Sequence, residues 1–204
     1  MTFIEQARRQ QIIEATIAAV AEEGYAGASL AKVAERAKIS KSVVIYHFGG
    51  KDELLETTVN QIYDELWSFV RPRLEAEKTA RGQLRAYIES EFAFLERNRA
   101  RLLTIAFILM NHRDRHGILY LREKAEKSYL KVIRTILERG QKNGEFRAFA
   151  MKPMATTLMH ANNGALDDWA ADPKVSLTEY AGELVTIFDL ATRKQAAAGA
   201  VRRS

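Results

Sequence analysis

The sequence predicts an all-α protein, and three observations support that fold class. Apolar residues recur at helical spacing along most of the 204 residues. Only three prolines, Pro72, Pro153 and Pro173, interrupt the chain. No run alternates apolar and polar residues as a half-buried strand would. A chain of this length forms one large domain, or a medium domain with a small one.

Composition excludes several kinds of site. The chain has no cysteine, so it forms no disulfide, thiolate metal site or cysteine nucleophile. Its net charge of +5 comes largely from Arg193, Lys194, Arg202 and Arg203, so charge alone is a weak sign of nucleic-acid binding. The first residues are polar, and no apolar run approaches the ~18 residues of a membrane span. We therefore expect neither a secretory signal nor a membrane helix. We expect the protein to be cytoplasmic.

Three short helices are predicted in the first 50 residues. The first extends over about residues 3–23, and Gly24 is placed to end it. The second begins at Ser29 and the third at Ser40, because serine is a favourable N-cap residue. Two consecutive glycines after the third helix break the chain.

Long helices are predicted in the rest of the chain. The first of them begins near Lys51 and ends at about Val70, with Pro72 as its stop. The others are expected at about residues 81–97, 100–112, 118–143, 153–171 and 177–194. The chain therefore divides near Gly50 into a domain of residues 1–50, a domain of residues 51–195, and a flexible basic tail of residues 196–204.

Residues 29–48 have the pattern of a helix-turn-helix unit, in which a four-residue turn joins two capped helices. The second helix of such a unit enters the major groove of DNA with its N-terminal residues first. Ile39, Val44 and Phe48 are predicted to face inward. We predict base or groove contacts from Lys41, Ser42, Val43 and Tyr46, and phosphate contacts from Ser40, His47, Lys51, Arg8 and Arg9. Ser29 and Lys38 complete this DNA-binding set.

The stretch from Ser29 to Leu54 resembles the signature of TetR/AcrR-type transcriptional regulators. The most specific matches are Val33-Ala34, Ser40, and Tyr46-His47-Phe48 followed by Lys51 and Leu54. Two positions depart from the family pattern. Lys38 stands where the family usually has glycine, so we expect a strained residue at positive φ. Ile45 stands where many members have a tyrosine that contacts phosphate, so that contact is expected either to be absent or to be made by Tyr46.

The resemblance implies an N-terminal three-helix DNA-binding domain and a larger C-terminal helical domain for ligand binding and dimerisation. It implies a homodimer whose two recognition helices meet successive major grooves of a near-palindromic, double-stranded operator. It also implies a repressor that a small-molecule effector releases from DNA. The resemblance implies no cofactor.

The C-terminal helices supply candidates for the dimer interface and the effector pocket. Apolar stripes on the last two predicted helices are typical of a core or of an interface; they are Met154, Leu158, Ala161 and Ala165, and Tyr180, Leu184, Ile187 and Ala191. The pocket candidates are Trp67, Tyr87, Phe94, Phe107, Met110, Tyr129, His160, Asn163 and Trp169, although each also suits ordinary packing. Their character favours an apolar or aromatic effector.

Other functions have less support from the sequence. His112 and His116 have the i, i+4 spacing that can chelate a metal, but they lack the His-Glu-x-x-His order, so no metal site is predicted. The chain has no nucleophile-elbow, P-loop or dinucleotide motif, so no enzyme activity is expected. The alternative is a helical bundle that binds a partner protein and has no DNA role. Such a bundle would not need the polar residues around 40–51.

Overall fold

A computed structural model describes residues 2–114 and 116–194. The helices in these ranges are α1 (Phe3–Glu23), α2 (Leu30–Arg36), α3 (Lys41–Phe48), α4 (Lys51–Ala76), α5 (Ala80–Arg97), α6 (Arg99–Asn111), α7 (Tyr120–Lys142), α8 (Met151–Ala171) and α9 (Leu177–Thr192). Within them the only strand-like pairing is a single antiparallel bridge between Phe146 and Arg193. The all-α prediction is confirmed. The tail predicted at residues 196–204 lies outside the described residues.

The chain forms two compact units. One comprises Met1–Ser68 and Phe94–Glu126, and the other comprises Phe69–Ala93 and Lys127–Ser204. The first unit therefore adds the start of α4, the end of α5, all of α6 and the start of α7 to the three N-terminal helices. These units do not divide near Gly50, so the functional boundary placed there stays a prediction. Of the helices in the described ranges, none is long and apolar enough to cross a bilayer.

The core of the first unit forms because α1, α2 and α3 each present an apolar side. The buried cluster includes Ile12, Ile13 and Ile17 from α1, Val33 and Ala34 from α2, Val44 and Phe48 from α3, and residues from α4 and α6. Full burial of one such large side chain contributes roughly 1.5–3 kcal/mol. The cluster thus fixes the three N-terminal helices against one another.

An ion-pair clamp joins three helices of the first unit. The guanidinium of Arg101 in α6 bonds Glu14 of α1 at 2.8 Å and Glu65 of α4 at 2.5 Å. The Arg101 side chain is mostly buried, which reduces the solvent screening that weakens surface pairs. The helices that flank the helix-turn-helix unit, α1 and α4, are therefore tied to α6.

Helix α4 is longer than the sequence predicted. It does not end near Val70 but continues through Pro72 to Ala76. Proline lacks an amide hydrogen and removes one helical hydrogen bond. Val70 and Leu74 lie one turn apart and are both buried, so packing holds the last turn in place. The predicted stop at Pro72 is therefore wrong.

In the second unit, the segment between α7 and α8 is pinned at two points. The Glu145 carboxylate accepts hydrogen bonds from the backbone N–H groups of Ala80 and Arg81, both at 3.1 Å, and it thereby caps the N-terminus of α5. Phe146 packs against Gly140 of α7, where an added Cβ would lie 2.0 Å from the ring. Glycine is therefore required at position 140 for this ring to be buried.

Candidate functional site

The helix-turn-helix unit forms as predicted. The hydroxyl groups of Ser29 and Ser40 each accept a hydrogen bond from the backbone N–H three residues later, at 3.2 and 3.4 Å. Both serines are therefore N-caps. The amide of Gln11 in α1 donates to the carbonyl of Ala37 at 2.9 Å. These contacts hold the turn between α2 and α3.

Lys38 occupies the turn with a φ of 54°, the only positive φ at a non-glycine position in the described ranges. The positive φ expected at Lys38 is thus confirmed. The chain then returns to the core, since the backbone N–H of Ile39 bonds the carbonyl of Ala34 at 3.0 Å and the Ile39 side chain packs on the buried cluster. The turn keeps its geometry despite the strained residue.

Helix α3 has a buried side and an exposed side. Val44 and Phe48 are fully buried, as the sequence predicted. Lys41, Ser42 and Tyr46 are exposed, and Tyr46 has 76% of its surface open to solvent. The exposed side thus presents an ammonium group and two hydroxyl groups, which can hydrogen-bond base edges or phosphates.

Val43 and His47 flank the exposed side of α3. Both are half-buried, so each has part of its surface available for contact. The rings of Tyr46 and His47 meet edge to face with centroids 5.1 Å apart. Ile45 is also exposed and has no polar group, so Tyr46 is the aromatic hydroxyl available on this side.

Arg9 has partners inside the protein. Its guanidinium donates to the carbonyl of His47 and lies 4.2 Å from the centroid of the Phe48 ring. A cation over an aromatic face is attracted to it. Arg9 therefore anchors the C-terminal end of α3, a role that the sequence did not indicate.

Arg8 and Lys51, the other two basic residues outside α3 that are predicted to contact phosphate, also have contacts within the protein. Arg8 donates to the side chain of Gln11 at 2.7 Å. The ammonium group of Lys51 lies 4.3 Å from the centroid of the Tyr25 ring, beside the N-terminus of α4. Both side chains are half-buried, so their aliphatic parts are positioned while each retains some exposed surface.

The predicted pocket residues fall in both compact units. Trp67, Phe94, Phe107 and Met110 belong to the first unit, and Met110 is 64% exposed, so it lines no interior cavity of this chain. Tyr87, Tyr129, His160, Asn163 and Trp169 belong to the second unit. There His160 and Asn163 lie exposed on α8, whereas Tyr87 and Trp169 are buried and Tyr129 is half-buried.

A buried carboxylate brings two of these residues together. Glu91 of α5 is 1% exposed. It accepts hydrogen bonds from the hydroxyl of Tyr129 and, at 2.9 Å, from the amide nitrogen of Asn162; Tyr87 also bonds it. Burial raises the pKa of Glu91 to about 7, and these three hydrogen bonds oppose that rise.

Glu91 is not among the predicted pocket residues, and the buried asparagine beside it is Asn162 rather than the predicted Asn163. One signal was present for Glu91, because it lies on the same helical stripe as the buried Leu84 and Ile88. A lone acid on an apolar stripe indicates a buried polar contact.

The histidine pair has no metal-site geometry. Helix α6 ends at Asn111, so His112 and His116 do not share a helix. His112 is buried with its Nδ1 3.1 Å from the Tyr25 hydroxyl, whereas His116 is exposed. Among the described residues no group of three or more His, Cys, Asp or Glu side chains could hold a metal ion.

The predicted interface stripes are partly core. Leu158, Ala165 and Leu184 are buried within one chain, so they offer no surface to a partner. Met154, Ala161, Tyr180 and Ala191 are half-buried, and Ile187 is 51% exposed. Leu190, which lies outside the predicted stripe, is 54% exposed on α9. The outward side of α9 therefore passes through Ile187 and Leu190.

The fold and the capped turn define a helix-turn-helix protein, and comparisons with known proteins extend that description. The family model for bacterial regulatory proteins of the tetR family matches residues 12–58. The HTH-type transcriptional regulator BetI of Burkholderia cenocepacia is 42% identical over 90 residues, which are 44% of this chain and 46% of BetI. BetI of Paraburkholderia phymatum is 40% identical over a match of the same extent. This chain thus matches about half the length of these relatives.

Solved structures resemble the fold over most of the chain. The fatty acid degradation regulator FadR from Bacillus halodurans has a TM-score of 0.78 at 18% identity, covering 88% of this chain and 93% of FadR. SmeT, the repressor of a Stenotrophomonas maltophilia multidrug efflux pump, has a TM-score of 0.77 at 21% identity, covering 92% of this chain and 91% of SmeT. Residues 12–58 thus resemble tetR-family regulatory proteins, and the fold as a whole resembles those of FadR and SmeT.

Proposed function

We propose that the protein is a transcriptional repressor that binds a near-palindromic operator as a homodimer and is released by a small-molecule effector. The exposed side of α3 carries this proposal, because Lys41, Ser42 and Tyr46 protrude from a helix whose other side is fixed to the core. SmeT, which is described as a repressor, supports the direction of regulation. We place the protein in the cytoplasm, since its operator would lie there.

DNA contacts divide between the two ends of α3. Near its N-terminus, Lys41, Ser42 and Val43 would read base edges, while phosphates would meet the N–H groups next to the Ser40 cap. Farther along, Tyr46 and His47 would bind phosphate or the groove wall. The phosphate contacts position the protein, and the base contacts select the sequence.

Homodimerisation would use the outward sides of α8 and α9. Ile187 and Leu190 are large apolar residues that this chain leaves more than half exposed. On α8, Ala161 and Gly164 are small and permit close helix approach. A symmetric interface would bring the same patch of both copies together.

Effector release would be a population shift. A ligand changes DNA affinity only if it binds the DNA-competent and DNA-incompetent forms with different affinities. The second compact unit holds the buried polar group around Glu91 and supplies the candidate effector site. The alternative function, a helical bundle without a DNA role, predicts no preference for any DNA.

The experiment measures binding of the purified protein to DNA flanking its own gene by fluorescence anisotropy at two salt concentrations. We expect tight, salt-sensitive binding with two chains, or a multiple of two, per site. The double variant Lys41→Ala, Tyr46→Ala should abolish this binding and keep the fold, because both side chains are exposed. Lys131→Ala, an exposed lysine of α7, should bind like the wild type.

Two results would contradict the proposal. Unchanged binding by the double variant would contradict the assignment of α3. A selection of bound fragments from the whole genome that finds no preferred sequence would favour the helical-bundle alternative.

A further inference from the structure

Two polar residues of the second unit lie on otherwise apolar helix sides. Glu91 is the only Asp, Glu, Lys or Arg that is buried in the described part of the chain. Asn162 is 1% exposed on α8, on the side that also buries Leu158, Leu166 and Trp169. An apolar residue at either position would avoid the cost of burying a polar group.

The partners of Glu91 do not balance its charge. Tyr87, Tyr129 and Asn162 are neutral hydrogen-bond donors. An ionised carboxylate can accept about four hydrogen bonds, and these donors supply three of them. The network holds the carboxylate in place without neutralising it.

Asn162 has an open acceptor. Its amide nitrogen bonds Glu91, but its Oδ1 is buried without a hydrogen-bond partner among the described residues. Buried polar atoms are satisfied in most proteins, so an orphaned one requires an explanation. Among the described residues, a carboxylate bonded by neutral groups thus lies next to an amide whose oxygen lacks a donor.

We propose that Glu91 and Asn162 form the recognition end of a binding site for an organic ammonium ion, a primary or secondary amine on an apolar or aromatic framework. The ammonium N–H groups would donate to the Asn162 Oδ1 and to the Glu91 carboxylate, and the positive charge would neutralise that carboxylate. Tyr87 and Tyr129 bond the same carboxylate, so their rings would lie near a bound cation, which aromatic faces attract. Tyr129 is half-buried, so the network reaches the surface there. The assignment of this site to the effector rests on the proposed ligand-responsive function.

The test is a calorimetric titration of the full chain at pH 8. The probes are phenylalkylammonium ions from benzylammonium to 4-phenylbutylammonium, and the neutral phenylalkanols of matching length. We expect at least one ammonium ion to bind one per chain, at least roughly tenfold more tightly than its alcohol, because a hydrogen bond to a charged group is the stronger kind.

Three variants locate the site. Glu91→Gln keeps the shape and removes the charge, so ammonium affinity should fall by at least roughly tenfold. Asn162→Leu removes the orphaned acceptor and should also weaken binding. Glu89→Gln, an exposed acid on the same helix, should bind like the wild type. Circular dichroism checks that each variant is folded.

A pH series distinguishes recognition of the ammonium ion by the charge of Glu91 from a purely structural role of the network. Wild-type affinity for the ammonium ion should fall as the pH decreases from 8 to 6, because protonation of Glu91 removes its charge, and Glu91→Gln should show no such fall. The groups that face Glu91 are the hydroxyls of Tyr87 and Tyr129 and the amide of Asn162. No ammonium binding, equal binding of the alcohols, or unchanged binding by Glu91→Gln would overturn the inference and leave a structural network only.

The DNA-binding assay tests the proposed repressor independently of the calorimetric titration. Absence of a preferred DNA sequence contradicts the proposed repressor and leaves a measured ammonium site in place. An ammonium ion that binds at Glu91 but leaves operator affinity unchanged overturns the effector role assigned to the site.

Discussion

Lys38 holds a backbone conformation that residues with a Cβ seldom adopt. Its φ of 54° lies in the left-handed region, which costs roughly 1–2 kcal/mol for a residue other than glycine. The neighbouring turn is held by Gln11 and by the Ser40 cap, so the surrounding contacts impose the conformation. The recognition helix thus begins directly after a strained residue.

We predict that Lys38→Gly raises the free energy of unfolding by about 0.5–1 kcal/mol, since relief of the strain exceeds the extra freedom of glycine in the unfolded chain. Urea denaturation measures the change. Lys38→Ala retains a Cβ and should leave stability unchanged. Equal stability of the glycine and alanine variants would show that the left-handed conformation carries no cost here.

Glu91 makes stability depend on pH. Its pKa is about 7 in the folded chain against 4.5 as the ordinary value, so protonation favours the folded state. The contribution of Glu91 is fully present below pH 4.5 and is lost as the pH rises through about 7. We predict that wild type loses up to about 3 kcal/mol relative to Glu91→Gln across this range.

Denaturant unfolding at several pH values measures this difference between wild type and variant. The exposed Glu89→Gln variant should keep the wild-type profile. Parallel profiles for wild type and Glu91→Gln would contradict a raised pKa at Glu91.

Helix α7 depends on one glycine for its contact with the segment that follows. Phe146 is 4% exposed and occupies the space beside Gly140 that a Cβ would need. Since a Cβ there would clash with the ring, either the ring or the helix must move when position 140 carries a side chain. The helix and the bridge at Phe146 are therefore coupled.

We predict that Gly140→Ala lowers the free energy of unfolding by about 1–3 kcal/mol, the usual cost of overpacking. Phe146→Leu removes part of the ring and should relieve the clash. In a double-mutant cycle the combined loss should therefore be smaller than the sum of the single losses. Additive losses would indicate that the ring and the new methyl group do not meet.

Helical periodicity predicted the order and approximate bounds of the helices, but it could not decide what each apolar stripe faces. Leu158 and Leu184 belong to apolar stripes that also suit a dimer interface, yet both residues are buried in their own chain. The end of α4 was also hidden, since tertiary burial of Leu74 outweighs the local effect of Pro72. An apolar stripe predicts that one side of a helix is buried, but only the fold shows whether the same chain or a partner chain covers that side.

The helix-turn-helix site was more predictable than the second unit. Serine caps, turn spacing and the buried pattern of α3 are local features, so the sequence contains them directly. The network of Glu91, Tyr129 and Asn162 joins residues up to 71 positions apart. Such a contact follows from the packing of α5, α7 and α8, which spacing along one helix does not define.

At the scale of the whole molecule, we predict a dimer with twice the 23.1 kDa mass of one chain. Ile187→Glu with Leu190→Glu should yield monomers, because charges would replace the apolar residues exposed on α9. Light scattering after size-exclusion chromatography measures the mass. Ile118→Glu, which changes an exposed apolar residue of the first unit, should remain dimeric. A wild-type monomer would contradict this interface.

The two tryptophans are divided between the compact units: Trp67 lies in the first and Trp169 in the second. Trp169 is 5% exposed and Trp67 is half-buried, so Trp169 should fluoresce at shorter wavelength. In Trp67→Phe all tryptophan emission comes from the second unit, and in Trp169→Phe it all comes from the first. Each unit therefore carries its own intrinsic optical reporter, and the melting of one can be observed without labelling the other.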